Sequence, residues 1–278
     1  IKVQYRESES PSPFSHSLLI RDLYRSGHEM GRARRAHLLR LHRQVLQGIL
    51  DSDQMAELLD PRASERVELV RQRRSEKTRA RNAEELAKVF RDLGDLPARL
   101  DAVQDVVEGD AAKLLPPLLK QGRIVGFEIP DNEEEPLRLI PTEYWGLYHA
   151  AFAEGMLPGD DTVQIPRLSA DDTIEVKRRS ASNVIPEEFR QEPPVQDARR
   201  AILARYLAGN GPLSLYDLMN RTGWPAGRIE GLLSGLVESG EVATGVYVGD
   251  KPRPQWVNRV NLEEIHRRTL GYLKHELA

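Results

Sequence analysis

Residues 232–248, "LLSGLVESGEVATGVYV", open as helix and end as strand. Apolar residues recur every three or four positions up to Val237 and then every second position, and Gly240 stands at the change. A glycine there can take the left-handed conformation that ends a helix. Residues 114–129, "LLPPLLKQGRIVGFEI", repeat the pattern. Ala111 placed over Ile229 needs no gap as far as Ile124 over Val242. Leu114, Leu115, Leu118 and Leu119 then fall on Leu232, Leu233, Leu236 and Val237, and Gly122 falls on Gly240. Two unrelated helices are hard to match by accident at that many apolar positions and a terminating glycine. The chain therefore writes one helix-to-hairpin segment twice.

Working outward, each copy predicts three helices followed by a two-stranded hairpin. In the first, Leu86, Val89, Phe90 and Leu93 mark an amphipathic helix, a second helix lies around Leu100–Val107, and the third runs from Ala111 to Gly122. "RIVGFEI" and "PLRLIP" then form a hairpin whose acidic tip, "PDNEEE", reads as floppy. In the second copy, Ile202, Leu203, Tyr206 and Leu207 mark the first helix. Ser214 and Asp217 give a capping box for the next, and "EVATGVYV" and "PQWVN" supply the hairpin. A further helix follows each hairpin. Three short helices closed by a hairpin are the winged-helix arrangement. The expected fold is mainly α with small β wings. It comprises an entry strand and helical subdomain over 1–81, a winged-helix unit over 82–152, a connector over 153–196 and a second winged-helix unit with a C-terminal helix over 197–278. The connector, rich in Pro, Asp and Ser, has too weak a periodicity to assign beyond a strand or two, though it contains "VKRRS" at 176–180. Pro116 and Pro117 strain the scheme, since a mid-helix proline costs about 3 kcal/mol. They predict that the third helix of the first unit starts late or bends.

Of 278 residues, 40% are hydrophobic and 30% charged, which reads as a soluble globular chain of two or three small domains. The net charge of -3 leaves any nucleic-acid affinity to local basic patches. With no cysteine there is no disulfide framework and no thiolate site, which leans toward a reducing cytosol. No apolar run approaches the ~18 residues of a membrane span. Beginning at Ile1, the chain reads as a piece of a longer protein.

No phosphate loop occurs, so ATP hydrolysis by this segment alone is not expected. His37 and His42 are five apart, the wrong spacing for ligands on one helix face, so no metal site is expected. No nucleophile has partners in sequence, and no catalytic residue is assigned. Nucleic-acid contact is the sharper reading. The third helices offer Arg228 in one copy and Lys113 and Lys120 in the other, while Glu230 and Glu238 repel phosphates, which disfavours base-specific readout. Lys251, Arg253 and Trp256 on the second wing, with Arg267 and Arg268 beyond it, interleave cations with an aromatic, a combination suited to single strands. The competing reading of Trp256 is a core residue under the wing, and Trp224 reads as a helix-packing anchor. "RQRRSEKTRAR", 71–81, is either a solvated face or linker, or a phosphate-contacting track.

Gly211, Pro212, Leu236, Gly240, Gly245, Tyr247, Trp256, Arg267, Arg268, Thr269 and Leu270 resemble, in order, the winged-helix motifs of the large helicase-related (Lhr) family. Upstream, Pro13 and Phe14 of "PSPF" and Leu58, Leu59 and Asp60 of "ELLD" resemble the segment that follows the motor in that family. The resemblance covers nearly the whole chain, with 155–182 as an apparent insertion. It implies an accessory region of a superfamily 2 ATP-dependent DNA helicase linked to DNA repair. ATP and magnesium would belong to the parent's motor, with no cofactor in this segment. The implied partners are single-stranded DNA or an RNA–DNA hybrid and the motor domains of the same parent chain. Two other functions fit tandem winged helices: an assembly module without nucleic-acid contact, and a DNA-glycosylase-like domain, which would need a carboxylate or Gln at a base pocket.

Overall fold

The computed structural model describes residues 59–132, 134–156, 159–247 and 253–276, so most of the expected N-terminal helical subdomain lies outside the described residues. Within them the chain is mainly α with small antiparallel sheets. It begins with α1 (Pro61–Arg71), capped by the Asp60 carboxylate. The first winged-helix unit follows as α2 (Ala83–Leu93), β1 (Leu96–Pro97), α3 (Leu100–Gln104), α4 (Ala111–Lys120), β2 (Ile124–Glu128) and β3 (Leu137–Pro141). Helix α5 (Trp145–Phe152) leads to β4 (Thr162–Leu168) and β5 (Ile174–Ser180). The second unit is α6 (Val195–Ala208), β6 (Leu213–Ser214), α7 (Leu215–Thr222), α8 (Ala226–Glu238), β7 (Val242–Gly245) and β8 (Gln255–Asn258), with α9 (Arg259–Glu276) after it.

The two units share one pattern down to individual bonds. Ala111, Leu115 and Leu118 of α4 are buried, and so are Ile229, Leu233 and Leu236 of α8. Gly122 and Gly240 end these helices with φ of +67° and +76°, a region open to glycine at no steric cost. In each, the residue after the glycine reaches back to the same carbonyl: Arg123 N to Leu118 O at 3.0 Å and Glu241 N to Leu236 O at 3.1 Å. Where each hairpin closes, the backbone pairs again alike, Thr142 N with Arg123 O and Arg259 N with Glu241 O. The glycine carbonyl receives a side-chain donor in both, Thr142 Oγ1 on Gly122 O and Arg259 Nε on Gly240 O. Different residue types fill one structural role.

Each hairpin gains a third strand that the sequence pattern does not announce. The short β1 pairs with β3, and β6 with β8. Two residues are too few for any periodicity to register. The prolines of α4 do not delay it, for the helix runs continuously from Ala111 to Lys120 with both inside. They remove two backbone donors, at about 3 kcal/mol each mid-helix. Fully buried Leu115 and Leu118, at roughly 1.5–3 kcal/mol apiece, offset that cost.

The connector carries more order than its composition suggests. Strands β4 and β5 form a seven-residue antiparallel ladder, and Gln164 pairs with Gly126, so the first sheet has the order β1-β3-β2-β4-β5. A Cβ at Gly126 would stand 2.7 Å from that of Gln164; glycine is what lets β4 approach. The acidic tip of the first hairpin is likewise held. Asn132 is buried, and its amide donates to the carbonyls of Asn220 at 3.0 Å and Arg221 at 3.3 Å, at the end of α7. A shared core runs from Val125, Phe127 and Ile140 through α5 to α6, α7 and α8.

Candidate nucleic-acid interface

A buried ionic centre joins the two units. Asp95, just past α2, is enclosed among Arg138 of β3, Arg221 of α7 and Tyr148 of α5. Arg138 Nε donates to its Oδ1 at 2.9 Å, Arg221 Nη2 donates to the same oxygen, and Tyr148 Oη donates to Oδ2 at 2.5 Å. Burial pushes the Asp95 carboxyl up, but the charges of Arg221 and Arg138 and the hydrogen bonds outweigh it and hold the group well below the usual carboxylate range. Tyr148 is driven well above a free phenol by its burial and by the neighbouring Asp95. A second carboxylate, Glu154, ties α5 to the second unit: Arg199 Nη2 lies 3.0 Å from it and Arg228 Nη2 2.5 Å. Arg228 is thus a strut between units. Its charge is already matched.

The helices expected to face a ligand have diverged. On α4, Lys113, Pro117 and Lys120 lie at i, i+4 and i+7, all exposed, forming one basic stripe. Lys113 is 81% exposed, near only its own cap residue Asp110 at 3.2 Å, and Lys120 has no ion pair among the described residues. The exposed positions of α8 are Gly227, Glu230, Gly231, Ser234 and Glu238. That face holds no cation and two acids.

On the second wing, Arg253 is exposed and makes no ion pair among the described residues, while Lys251 lies outside them. Trp256 is half-buried, opposite Leu213 and Thr244 in the sheet, and packs on the shared core. Trp224 is buried against Phe152, ring centres 5.1 Å apart, and Trp145 is buried and stacked on His149. Among the described residues the exposed aromatic is Tyr216, at 64%. It stands two residues after Ser214, whose sheet partner is Gln255, two residues after Arg253. In sequence it is hidden, because an apolar residue in an amphipathic helix looks like core until the helix's rotation is known. Arg267 and Arg268 both approach Glu264 of their own helix α9, Arg268 Nε at 2.9 Å. Helix α9 packs on α1, with Thr269 Oγ1 accepting from Asp60 N at 3.0 Å.

Half of the cations in the basic run 71–81 are neutralised by the first unit. Arg73 pairs with Asp92, Arg74 with Asp105 and Arg81 with Glu108, each at 2.5 Å. Among the described residues no His, Asp and Glu converge in a group of three able to hold a metal ion, and no helix is long and apolar enough to cross a membrane.

Two three-helix units, each closed by a matching set of three strands, make this a tandem winged-helix protein. Residues 57–156 match the family model of the winged-helix domain of the large helicase-related protein, which supports an Lhr-type accessory winged-helix region there. Among solved structures, the DNA glycosylase AlkZ of Streptomyces sahachiroi is similar in fold, with a TM-score of 0.52 and 12% identity over 72% of this chain and 71% of that one. No curated protein matches the sequence.

Proposed function

We propose that this chain is the accessory region of an ATP-dependent DNA helicase acting in DNA repair, and that it grips single-stranded DNA or an RNA–DNA hybrid beside the motor domains of its parent. The observation that supports this reading most is the stripe Lys113–Pro117–Lys120 on α4, in a segment matching the helicase-related family. Two exposed ammonium groups, Lys120 without an ion pair among the described residues and Lys113 beside only its cap residue Asp110, contact phosphates without reading bases on the helix that faces ligand in this fold. Arg253 extends the basic surface on the second wing, and Tyr216 supplies an open face on which a base stacks. Trp256, packed on the core, and Arg228, held by Glu154, serve the architecture instead. The test is fluorescence anisotropy with labelled single-stranded oligonucleotides across a salt series. Phosphate contacts lower affinity steeply with salt, by a slope of about 0.7 per contact on single strands. Binding that is absent, or indifferent to salt, overturns the reading in favour of a protein-assembly module, for which the cation-free face of α8 is suited.

A second reading, base excision, is favoured by one feature of a cleft. Gln164 is 5% exposed, and its Oε1 accepts no hydrogen bond among the described residues, while its Nε2 donates to Glu128 at 3.2 Å. Both line a cleft of about 470 Å³ beside the tip of the first wing. An amide acceptor next to a carboxylate is the pairing a base-excising site would need. Release of free base from uracil- or alkyl-containing oligonucleotides, lost in Gln164→Ala, would establish it; no release by the wild-type chain removes it.

A further inference from the structure

The hairpin β4–β5 has no counterpart in the second unit, whose sheet stops at three strands, and it lies beyond the segment that matches the helicase-related family. Strand β5 is the outermost strand of its sheet, and Glu175 through Arg179 are all exposed. Its register with β4 sorts the cations by face. Arg178 stands opposite Gln164, and its guanidinium is taken up by Glu128 at 2.9 Å. Arg179 stands opposite Val163, Lys177 opposite Ile165 and Arg167 opposite Glu175, which puts Arg167, Lys177 and Arg179 together on the other face, with Glu175 as the one acid among them. No side chain of those three makes a hydrogen bond or ion pair among the described residues, where most other arginines are matched by carboxylates. Their neighbours Val163 and Ile165 pack inward on the core, so the ladder that presents the cations is anchored.

Same-face residues on one strand are about 6.6 Å apart. That spacing sets Lys177 and Arg179 in register with neighbouring phosphates of an extended nucleic-acid strand, and Arg167 lies diagonally across from Lys177. We propose that the β4–β5 hairpin is a second phosphodiester-binding surface, at which Arg167, Lys177 and Arg179 hold the backbone of a nucleic-acid strand. The inference rests on the accessory-region reading above and adds to it a site separate from α4. Cations on an edge strand also deter pairing with a second sheet. That role predicts self-association when they are removed, and no loss of nucleic-acid affinity.

The experiment measures anisotropy of labelled oligothymidylate, and of a duplex of equal length, with the 1–278 chain. The variants are Lys177→Ser/Arg179→Ser, the charge-keeping Lys177→Arg/Arg179→Lys, and Lys113→Ser/Lys120→Ser. Salt runs from about 50 to about 200 mM. Circular dichroism and sedimentation check fold and oligomeric state. The Lys177→Ser/Arg179→Ser chain should lose on the order of tenfold in low-salt affinity, with its salt slope flattened by about 1.4 for a single strand, and the charge-keeping pair should match wild type. A larger loss with oligothymidylate than with duplex identifies the strand as single, and the reverse identifies duplex. Wild-type binding with the Ser/Ser variant unchanged in affinity and slope overturns the hairpin site while leaving the accessory reading intact. Unchanged affinity with new self-association assigns the cations to edge protection and also overturns it. No binding by the wild-type chain removes both the inference and the reading beneath it.

Discussion

Asp95 and Arg221, 126 residues apart, form a buried ion pair whose partners come from different winged-helix units. Arg138 and Tyr148 complete the enclosure, so every heteroatom of the carboxylate is matched. Two small domains on one chain are by default mobile with respect to each other unless a substantial interface fixes them. Here an apolar core shared by both units and one ionic centre at its margin do so. The relative placement of α4 and the second wing is therefore a property of the fold.

Replacing Asp95 by Asn should cost about 3–5 kcal/mol, because two guanidinium groups lose their buried counter-charge. Asp95→Leu combined with Arg221→Met should cost less than Asp95→Asn alone, since it removes one buried ion pair whole and leaves Arg138 its partner Glu135. The pH dependence follows from the depressed carboxyl. Its value is lower in the folded chain than the roughly 3.9 of an unfolded aspartate, so its contribution is complete above that range and disappears as pH falls through the folded value. Urea unfolding of the wild type and Asp95→Asn between neutral pH and strongly acid conditions tests this. Curves that stay parallel throughout would refute it.

His266 provides a second pH window. It is buried on α9, its Nε2 has no partner among the described residues, and burial alone holds its ring below the free-histidine value. The unfolded chain then takes up a proton near the ordinary value of about 6.5 while the folded chain resists. Stability should fall as pH drops from neutral through that range, and His266→Leu should abolish this part of the decline. Melting temperatures in matched buffers would decide; an identical decline in the variant excludes His266 as the cause.

Much of the architecture is legible in sequence because it is written twice. Gly122 over Gly240, and the leucines before them, report a repeated helix end whatever the rest of the chain does. Strands β1 and β6 are invisible because two residues carry no period, and they exist through pairing with distant β3 and β8. The β4–β5 hairpin shows in sequence only as an unplaced strand or two for a related reason: Glu175 to Arg179 are exposed on both faces, so the apolar alternation that marks a strand is missing. Charged site residues are harder still. Arg228 and Lys120 look alike in sequence, and only Glu154, 74 residues from Arg228, shows that one of them is already matched.

The prolines of α4 offer a clean stability test. Pro116 and Pro117 leave the carbonyls four residues earlier, Ala112 and Lys113, without their helical donors. Pro116→Ala/Pro117→Ala should stabilise the chain by about 2 kcal/mol or more. The gain is up to ~3 kcal/mol per site in helix propensity, less ~0.4–1 for the freer unfolded chain. A higher denaturant midpoint at unchanged slope is the expected result. A lower one would show that the prolines' packing outweighs the lost bonds.

The two aromatics of the second unit should separate stability from binding. Trp256 packs on the core, so Trp256→Ala should destabilise by about 3–5 kcal/mol if it behaves as a core aromatic, and by less in proportion to its partial exposure. Affinity for single-stranded oligonucleotides, normalised to folded chain, should be unchanged. Tyr216 is open to solvent at the end of the wing ladder that carries Arg253. Tyr216→Ala should leave the unfolding midpoint nearly unmoved and weaken binding by about 1–3 kcal/mol, the range for a stacked base. Tyr216→Phe, which keeps the ring, should bind like wild type. Weakened binding in Trp256→Ala with none in Tyr216→Ala would return the stacking role to the tryptophan, and would require the wing to open when nucleic acid arrives.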